Sequence, residues 1–397
     1  MEKEDFVMKK RLIIIFILSG LAVWGFIYRY PWSVGISSRP MVCIGPHCGI
    51  SQESVEVLED ELGLYERWRA RSEEEPVTFY SQFAHISNEL IARKGILITR
   101  PRARATILVM HGYTSNKIDM GILRLLFSPY NLLLFDFRAH GEDTEGQLST
   151  LGYDEVHDVL AAVDFLRSHH KTCELPIIGY GFSMGAVTAI EAQAKDTSLF
   201  KALILDCPFD STDGLIERGL DRALGKVNIP LIGEYDIPGR SFLKKYATNR
   251  YVQPVLLSFL RLFAGMDSTK VPTMPKRVQP IKSAKNLNIP VQFIHCYADE
   301  HVPVDALLKI YNNVPCYKRL WLTKGARHFG SLFNNPELYQ QMVANFIEKI
   351  LNESIGKECQ ERIIADMTRH ELEQMHARRY KYPLDNDIVD RIYTIKK

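Results

Sequence analysis

The chain contains no C-x-x-C pair, and its seven cysteines form an odd, scattered set. No histidine stands at a spacing suited to zinc, so a structural zinc site of the usual kinds is excluded and no metal is expected. Charge of one sign is also lacking: 49 Lys and Arg face 47 Asp and Glu, for a net charge of +2. No basic stripe with interleaved aromatics occurs, which sets nucleic-acid binding aside. Long hydrophobic runs are nearly absent. The exception is the uncharged run Leu12 to Tyr28, at the short end for a membrane span. No A-x-A cleavage site follows it, and Tyr30 and Trp32 supply an interfacial aromatic flank. The run reads as an uncleaved transmembrane signal anchor, with a cleaved signal as the second reading. Lys3, Lys9, Lys10 and Arg11 precede it, and Arg29 and Arg39 follow. The positive-inside bias then puts the N-terminus in the cytoplasm and the bulk of the chain on the far side, periplasmic, lumenal or extracellular.

What is present is enough for one large α/β domain with appendages in 397 residues. Residues 1–32 read as a cytoplasmic stub and anchor. Residues 33–75 read as a tether, ending in an acidic helix from Glu53 to Arg71. Cys43 and Cys48 can close a small disulfide loop only in an oxidising space, and both states stay open. The folded domain is 76–355, and 356–397 is a charged extension, helical to about Tyr380. Eight strands are expected, at Val77–Phe83, Gly95–Arg100, Thr106–Met110, Leu132–Phe135, Pro176–Tyr180, Ala202–Leu205, Val291–His295 and Arg319–Leu322. Helices are expected at Lys117–Phe127, Tyr153–His170 and Pro336–Leu351. Long segments separate the last six strands, which predicts a mostly parallel, doubly wound sheet. One crossover, 211–288, is far longer than the rest. It reads as an inserted lid or cap, most apolar at Val255 to Phe263.

The chemistry is organised around Pro176 to Ala189, PIIGYGFSMGAVTA. A buried strand meets Gly181-Phe182-Ser183-Met184-Gly185 and then a helix of small and apolar residues, the context of a nucleophile elbow. So tight a turn forces the serine into strained φ/ψ and requires near-absent side chains two residues to either side, which Gly181 and Gly185 meet. Such an elbow forecasts an oxyanion donor after an earlier strand, then an acid, then a histidine. The strand ending at Met110 runs into His111-Gly112-Tyr113. Gly112 permits close approach, and the backbone N–H groups of Tyr113 and Met184 are the expected oxyanion donors. The loop after the seventh strand carries Asp299 and Glu300; Asp299 is preferred as nearer the strand end, with His301 facing solvent. Among twelve histidines, only His328 follows the last strand in a short loop before the final helix. The chain order Ser183, Asp299, His328 suits this architecture.

From about Val77 to Leu351 the chain resembles an α/β-hydrolase, most of all the monoacylglycerol-lipase-like and serine-aminopeptidase-like branch, with its membrane-tethered bacterial and palmitoyl-protein-thioesterase-like relatives. The residues that carry the resemblance are His111-Gly112-Tyr113, Asp136-Phe137-Arg138-Ala139-His140-Gly141, the GFSMGA elbow, Ala298-Asp299-Glu300-His301-Val302-Pro303, and His328-Phe329. The resemblance implies a mainly structural role for Asp136, Arg138 and His140. Cys296 departs from it, since relatives commonly carry Gly there.

The expected activity is serine acyl hydrolysis of carboxylic esters or thioesters, without metal or cofactor. The anchor and the apolar lid favour a lipid-like or acylated substrate. An amide-cutting peptidase is the nearest alternative, with Glu217, Asp221, Glu234 and Asp236 available to hold a peptide amino terminus. A membrane-tethered binding protein without turnover is the alternative of another class.

Overall fold

Short, mostly apolar runs become the centre of the sheet. The computed structural model describes residues 72–83, 89–142, 144, 147–223, 227–229, 233–235, 276–325, 327–353, 361–380 and 382–393. The expected anchor, tether helix, Cys43–Cys48 loop and apolar run Val255–Phe263 lie outside them. Among the described residues no helix is long and apolar enough to cross a membrane.

In chain order the elements are β1 (Glu73–Gln82), β2 (Leu90–Thr99), β3 (Thr106–Met110), β4 (Asn131–Phe135), α1 (Glu155–Ser168), β5 (Ile177–Phe182), α2 (Met184–Lys195), β6 (Ala202–Asp206) and α3 (Thr212–Ala223). A hairpin of β7 (Val227–Ile229) and β8 (Gly233–Tyr235) follows. Then come β9 (Val291–Cys296), α4 (Val304–Asn313), β10 (Lys318–Thr323), α5 (Pro336–Asn352), β11 (Glu361–Ala365), α6 (Arg369–Arg379) and α7 (Asn386–Tyr393).

Nine strands form one sheet in the order β1-β2-β4-β3-β5-β6-β9-β10-β11. β1 and β2 pair antiparallel, β2 meets β4 antiparallel, and every pairing from β4 to β11 is parallel. Every residue of β3, β4, β5, β6, β9 and β10 is buried, as strands covered on both faces require. Alternate side chains feed two cores. Leu108, Met110, Leu203, Leu205 and Phe293 face α1, α2 and α4, while Ile107, Val109, Tyr180, Ile204 and Trp321 face α5.

The chain steps from β3 outward to β4, then back past β3 to β5 and onward the other way. The loops leaving β3 and β5 therefore part, opening a crevice at the carboxyl ends of the strands. Register brings one rim level: Met110 lies opposite Gly181, Phe182 opposite Asp206, and Cys296 opposite Thr323.

Two expectations need correction. Lys117–Phe127 is not one helix: a 3-10 turn, Asp119–Ile122, runs into a single α turn, Leu123–Leu126. Asn116 Oδ1 takes both the Ile118 and Asp119 amides, and Pro129 closes the segment soon after. The extension is not a single helix to Tyr380: its described part opens with a strand. Its short run Glu361-Arg362-Ile363-Ile364-Ala365 becomes β11, a ninth strand where eight are expected, covering the edge that β10 would otherwise expose. Residues 211–288 begin in α3 and carry the β7–β8 hairpin. They close in a segment whose Val278, Ala284 and Leu287 are buried in the core. Thr212 ties the two ends together, its Oγ 2.8 Å from the Lys276 carbonyl.

Candidate active site

The elbow geometry follows from how closely α2 approaches the sheet. Ser183 has φ 51° and ψ −111°, a left-handed backbone that costs a β-carbon-bearing residue strain. A Cβ at Gly181 would stand 2.6 Å from Ala186 Cα, and one at Gly185 would run into the Met110 carbonyl. Only glycine fits at either place. The Ser183 amide bonds the Asp206 carbonyl at 2.8 Å, which fixes the turn to β6.

From that turn Ser183 Oγ lies 2.9 Å from His328 Nε2, and His328 Nδ1 lies 2.6 Å from Asp299 Oδ2. The structure thus brings these three side chains, distant in sequence, into one hydrogen-bonded line. An ionised carboxylate only accepts, so the pairing assigns the proton to Nδ1 and leaves Nε2 to accept from the serine hydroxyl. Asp299 Oδ1 takes the His301 and Val302 amides at 2.7 and 2.9 Å. Burial alone would push this carboxyl up. The His328 ring and the backbone donors win, and hold it well below the usual carboxylate range.

Neighbouring side chains fix both loops. Phe329 adopts φ 64° and packs its ring, tilted by 39°, against Phe182 at 4.3 Å between ring centres, beside His328. His295 Nε2 lies 3.0 Å from the Val302 carbonyl, tying the end of β9 to the acid loop. Cys296 packs its sulfur 3.4 Å from both Ser331 and Thr323 hydroxyls, below the His328 loop. Burial pushes that thiol up to about 11, so it fills space there as a neutral group. His301 does not simply face solvent: it is partly buried, its ring 5.5 Å from that of His328.

The Gly112 loop lies at the same rim. A Cβ on Gly112 would sit 2.7 Å from the Phe182 ring and 3.5 Å from Ser183 Cβ. His111 is the group that shapes this loop. Phe137 donates its amide to Nε2 at 2.9 Å, so Nδ1 carries the proton and bonds the Gly112 carbonyl at 2.7 Å. Burial holds this imidazole neutral, well below its ordinary pKa. Tyr113 follows, its ring edge-on to His140 at 5.6 Å. Met184 opens α2, so its N–H is among the four that a helix leaves without an internal acceptor. Asp136 and Arg138 sit in buried ion pairs, to Lys117 at 2.6 Å and to Asp158 at 2.8 Å. Of the four carboxylates considered for a peptide amino terminus, Glu217 is exposed on α3 and the other three side chains lie outside the described part.

Sequence reasoning missed a second buried carboxyl. Asp206, the last residue of β6, accepts from Tyr339 at 2.9 Å and from the Cys207 thiol at 3.1 Å. Burial pushes it up to about 6 against those two hydrogen bonds. The available signal was an acid closing an otherwise apolar strand, ALILD. Among the described residues, Cys207, Asp299 and His328 have ligand atoms within 4.8 Å of one another. A metal ion there would have to displace the hydrogen-bonded line.

The alpha/beta hydrolase family model matches residues 107–340. The uncharacterized protein YqkD of Bacillus subtilis is 29% identical over 251 residues, 62% of this chain and 72% of its own. The protein bem46 of Schizosaccharomyces pombe is 32% identical over 119 residues, 29% of this chain and 39% of its own. Among solved structures, the esterase Pf2001 of Pyrococcus furiosus is similar at 22% identity with a TM-score of 0.49, covering 73% of this chain and 93% of that one.

Proposed function

The chain belongs to the alpha/beta hydrolase family, and from that premise we propose that it is a serine hydrolase cleaving carboxylic esters or thioesters through an acyl-enzyme. One observation carries the reading: the line from Ser183 Oγ through His328 to Asp299, at 2.9 and 2.6 Å, on an elbow strained to φ 51°.

In this mechanism Ser183 Oγ bonds to the carbonyl carbon as its proton passes to His328 Nε2. The oxygen becomes an oxyanion, held by the N–H groups of Tyr113 and Met184; one such donor is worth roughly 3 kcal/mol in the transition state. The tetrahedral centre collapses, and His328 returns the proton to the departing alcohol or thiol. Water then repeats the sequence on the acyl-serine and releases the acid. Asp299 stays ionised throughout, holding the imidazole in one tautomer and stabilising its cation.

The substrate class is read as lipid-like or acylated, in the manner of the monoacylglycerol-lipase-like branch. The sequence supports this through the uncharged run Leu12–Tyr28 and the apolar run Val255–Phe263. On the same ground the chain is a single-pass membrane protein with its hydrolase domain opposite the cytoplasm. The test is labelling by a fluorophosphonate probe, with Ser183→Ala as control, followed by a chain-length panel of p-nitrophenyl esters beside aminoacyl amides. Labelling lost in the variant, with preference for longer esters, is expected. A folded wild type that does not label would point to a binding protein, and preferred amide cleavage to a peptidase.

A further inference from the structure

The C-terminal segment, in which the sequence carried no recognisable chemistry, closes over the loop that bears Asp299. Its start is fixed: β11 pairs with β10, and Thr368 and Glu371 form a reciprocal capping box at the head of α6. Asp366 Oδ1 takes the Lys324 amide at 2.8 Å, and Glu371 pairs with the Lys324 ammonium at 2.7 Å, just before the His328 loop.

The end of α6 then reaches the acid loop. Tyr380 donates its hydroxyl to the Tyr297 carbonyl at 3.0 Å. The Tyr297 hydroxyl meets His376 Nδ1 at 2.8 Å, while His376 Nε2 lies 2.9 Å from the Tyr382 carbonyl. A carbonyl only accepts, so Nε2 carries the proton and Nδ1 takes that of Tyr297. Both partners are buried, Tyr297 at 2% and His376 at 5% exposure. Arg379 stands 4.0 Å from Glu300, the neighbour of Asp299.

Tyr297 is two residues from Asp299 in one turn, whose Asp299 amide bonds back to the Cys296 carbonyl at 3.1 Å. The amides of Tyr297 and Ala298 also bond the Thr323 and Gly325 carbonyls, at 2.9 and 3.1 Å. The loops carrying the acid and the histidine are thus sewn to each other and to the extension. A carboxylate that must sit within about 0.5 Å of its working position needs such support from surrounding groups.

We propose that Tyr380 and His376 are positioning residues which, through Tyr297, set the Asp299 carboxylate against His328. This rests on the reading that Asp299 serves His328 in acyl transfer. Without either contact the turn relaxes, and the carboxylate stabilises the imidazolium less.

The test uses the full chain with Tyr380→Phe, His376→Gln and Tyr393→Phe. The second keeps a donor at the Nε2 position toward Tyr382 and takes the acceptor away from the Nδ1 position that meets Tyr297. The third removes a hydrogen bond of the same kind, to the Met367 carbonyl at 2.8 Å, away from the acid loop. The readouts are the low-field proton resonance of His328 Nδ1 followed against pH, and the rate of fluorophosphonate labelling. His301, His295, Cys207 and Asp206 also face this imidazole and are left unchanged in every variant. Tyr380→Phe and His376→Gln are expected to lower the titration midpoint by about 0.5 pH unit. They should slow labelling about tenfold, within what a misplacement of roughly 1 Å can cost. Tyr393→Phe should do neither. An unmoved midpoint in the first two variants, or an equal shift in the third, overturns the proposal. If the midpoint moves as expected but even the wild type does not label, the positioning role stands and the hydrolase reading falls.

Discussion

Tyr339 of α5 donates its hydroxyl to Asp206 at the end of β6, 2.9 Å away, and meets the Tyr180 hydroxyl at 2.8 Å. The helix that follows the His328 loop is thus latched to a carboxyl beneath the elbow, in a fully buried setting. An acid raised to about 6 from 3.8 binds its proton more tightly in the fold than in the unfolded chain. Stability is therefore lost as pH rises from about 4 to about 6 and stays lower above that. Asp206→Asn keeps an acceptor for Tyr339 and removes the titration. Relative to it, the wild type should lose on the order of 3 kcal/mol across that window, read by denaturant unfolding at steps of pH. A constant difference between the two proteins would refute this.

The strained φ of Ser183 predicts a separation of stability from activity. Ser183→Gly abolishes fluorophosphonate labelling yet should stabilise the fold by about 1 kcal/mol, since glycine adopts this backbone without the β-carbon clash. Ser183→Ala abolishes labelling with no such gain. Equal melting temperatures for the two variants would count against stored strain at the elbow.

Asp299→Asn replaces a carboxylate that accepts from His328 and two amides with a group that can also donate. The imidazole then loses its tautomer, and kcat should fall by about 10⁴-fold. Stability shows the opposite pH sense to Asp206. The folded pKa of Asp299 is depressed, so its contribution is present above about pH 4 and lost as pH falls below the unfolded value. The advantage of wild type over Asp299→Asn should shrink on acidification, and an advantage that grows instead would contradict the assignment.

Gly112→Ala puts a methyl 2.7 Å from the Phe182 ring. The loop carrying the Tyr113 amide must then move away from Ser183. Labelling is expected to slow by roughly 100-fold with a small change in melting temperature. Unchanged labelling would remove the Gly112 loop from the oxyanion role.

The sequence by itself determined the parallel centre of the sheet and the elbow. Short strands of five or six mostly apolar residues, and glycines two residues either side of a serine, are local patterns with few physical alternatives. Chain order then pointed to Asp299 and His328 because each closes a short loop at a strand end. What only the tertiary structure decided are the contacts made across the fold: Tyr339 on Asp206, His111 on Gly112, and Tyr380 on Tyr297. The Tyr339 and Tyr380 contacts, and the Phe137 amide that orients His111, join residues whose approach depends on sheet order and register, and none leaves a periodic trace in the chain. The C-terminal extension is the sharpest case. Its charge reads as a solvated helix, yet five residues with two isoleucines find the open edge of β10, and a pairing partner far along the chain overrides local propensity.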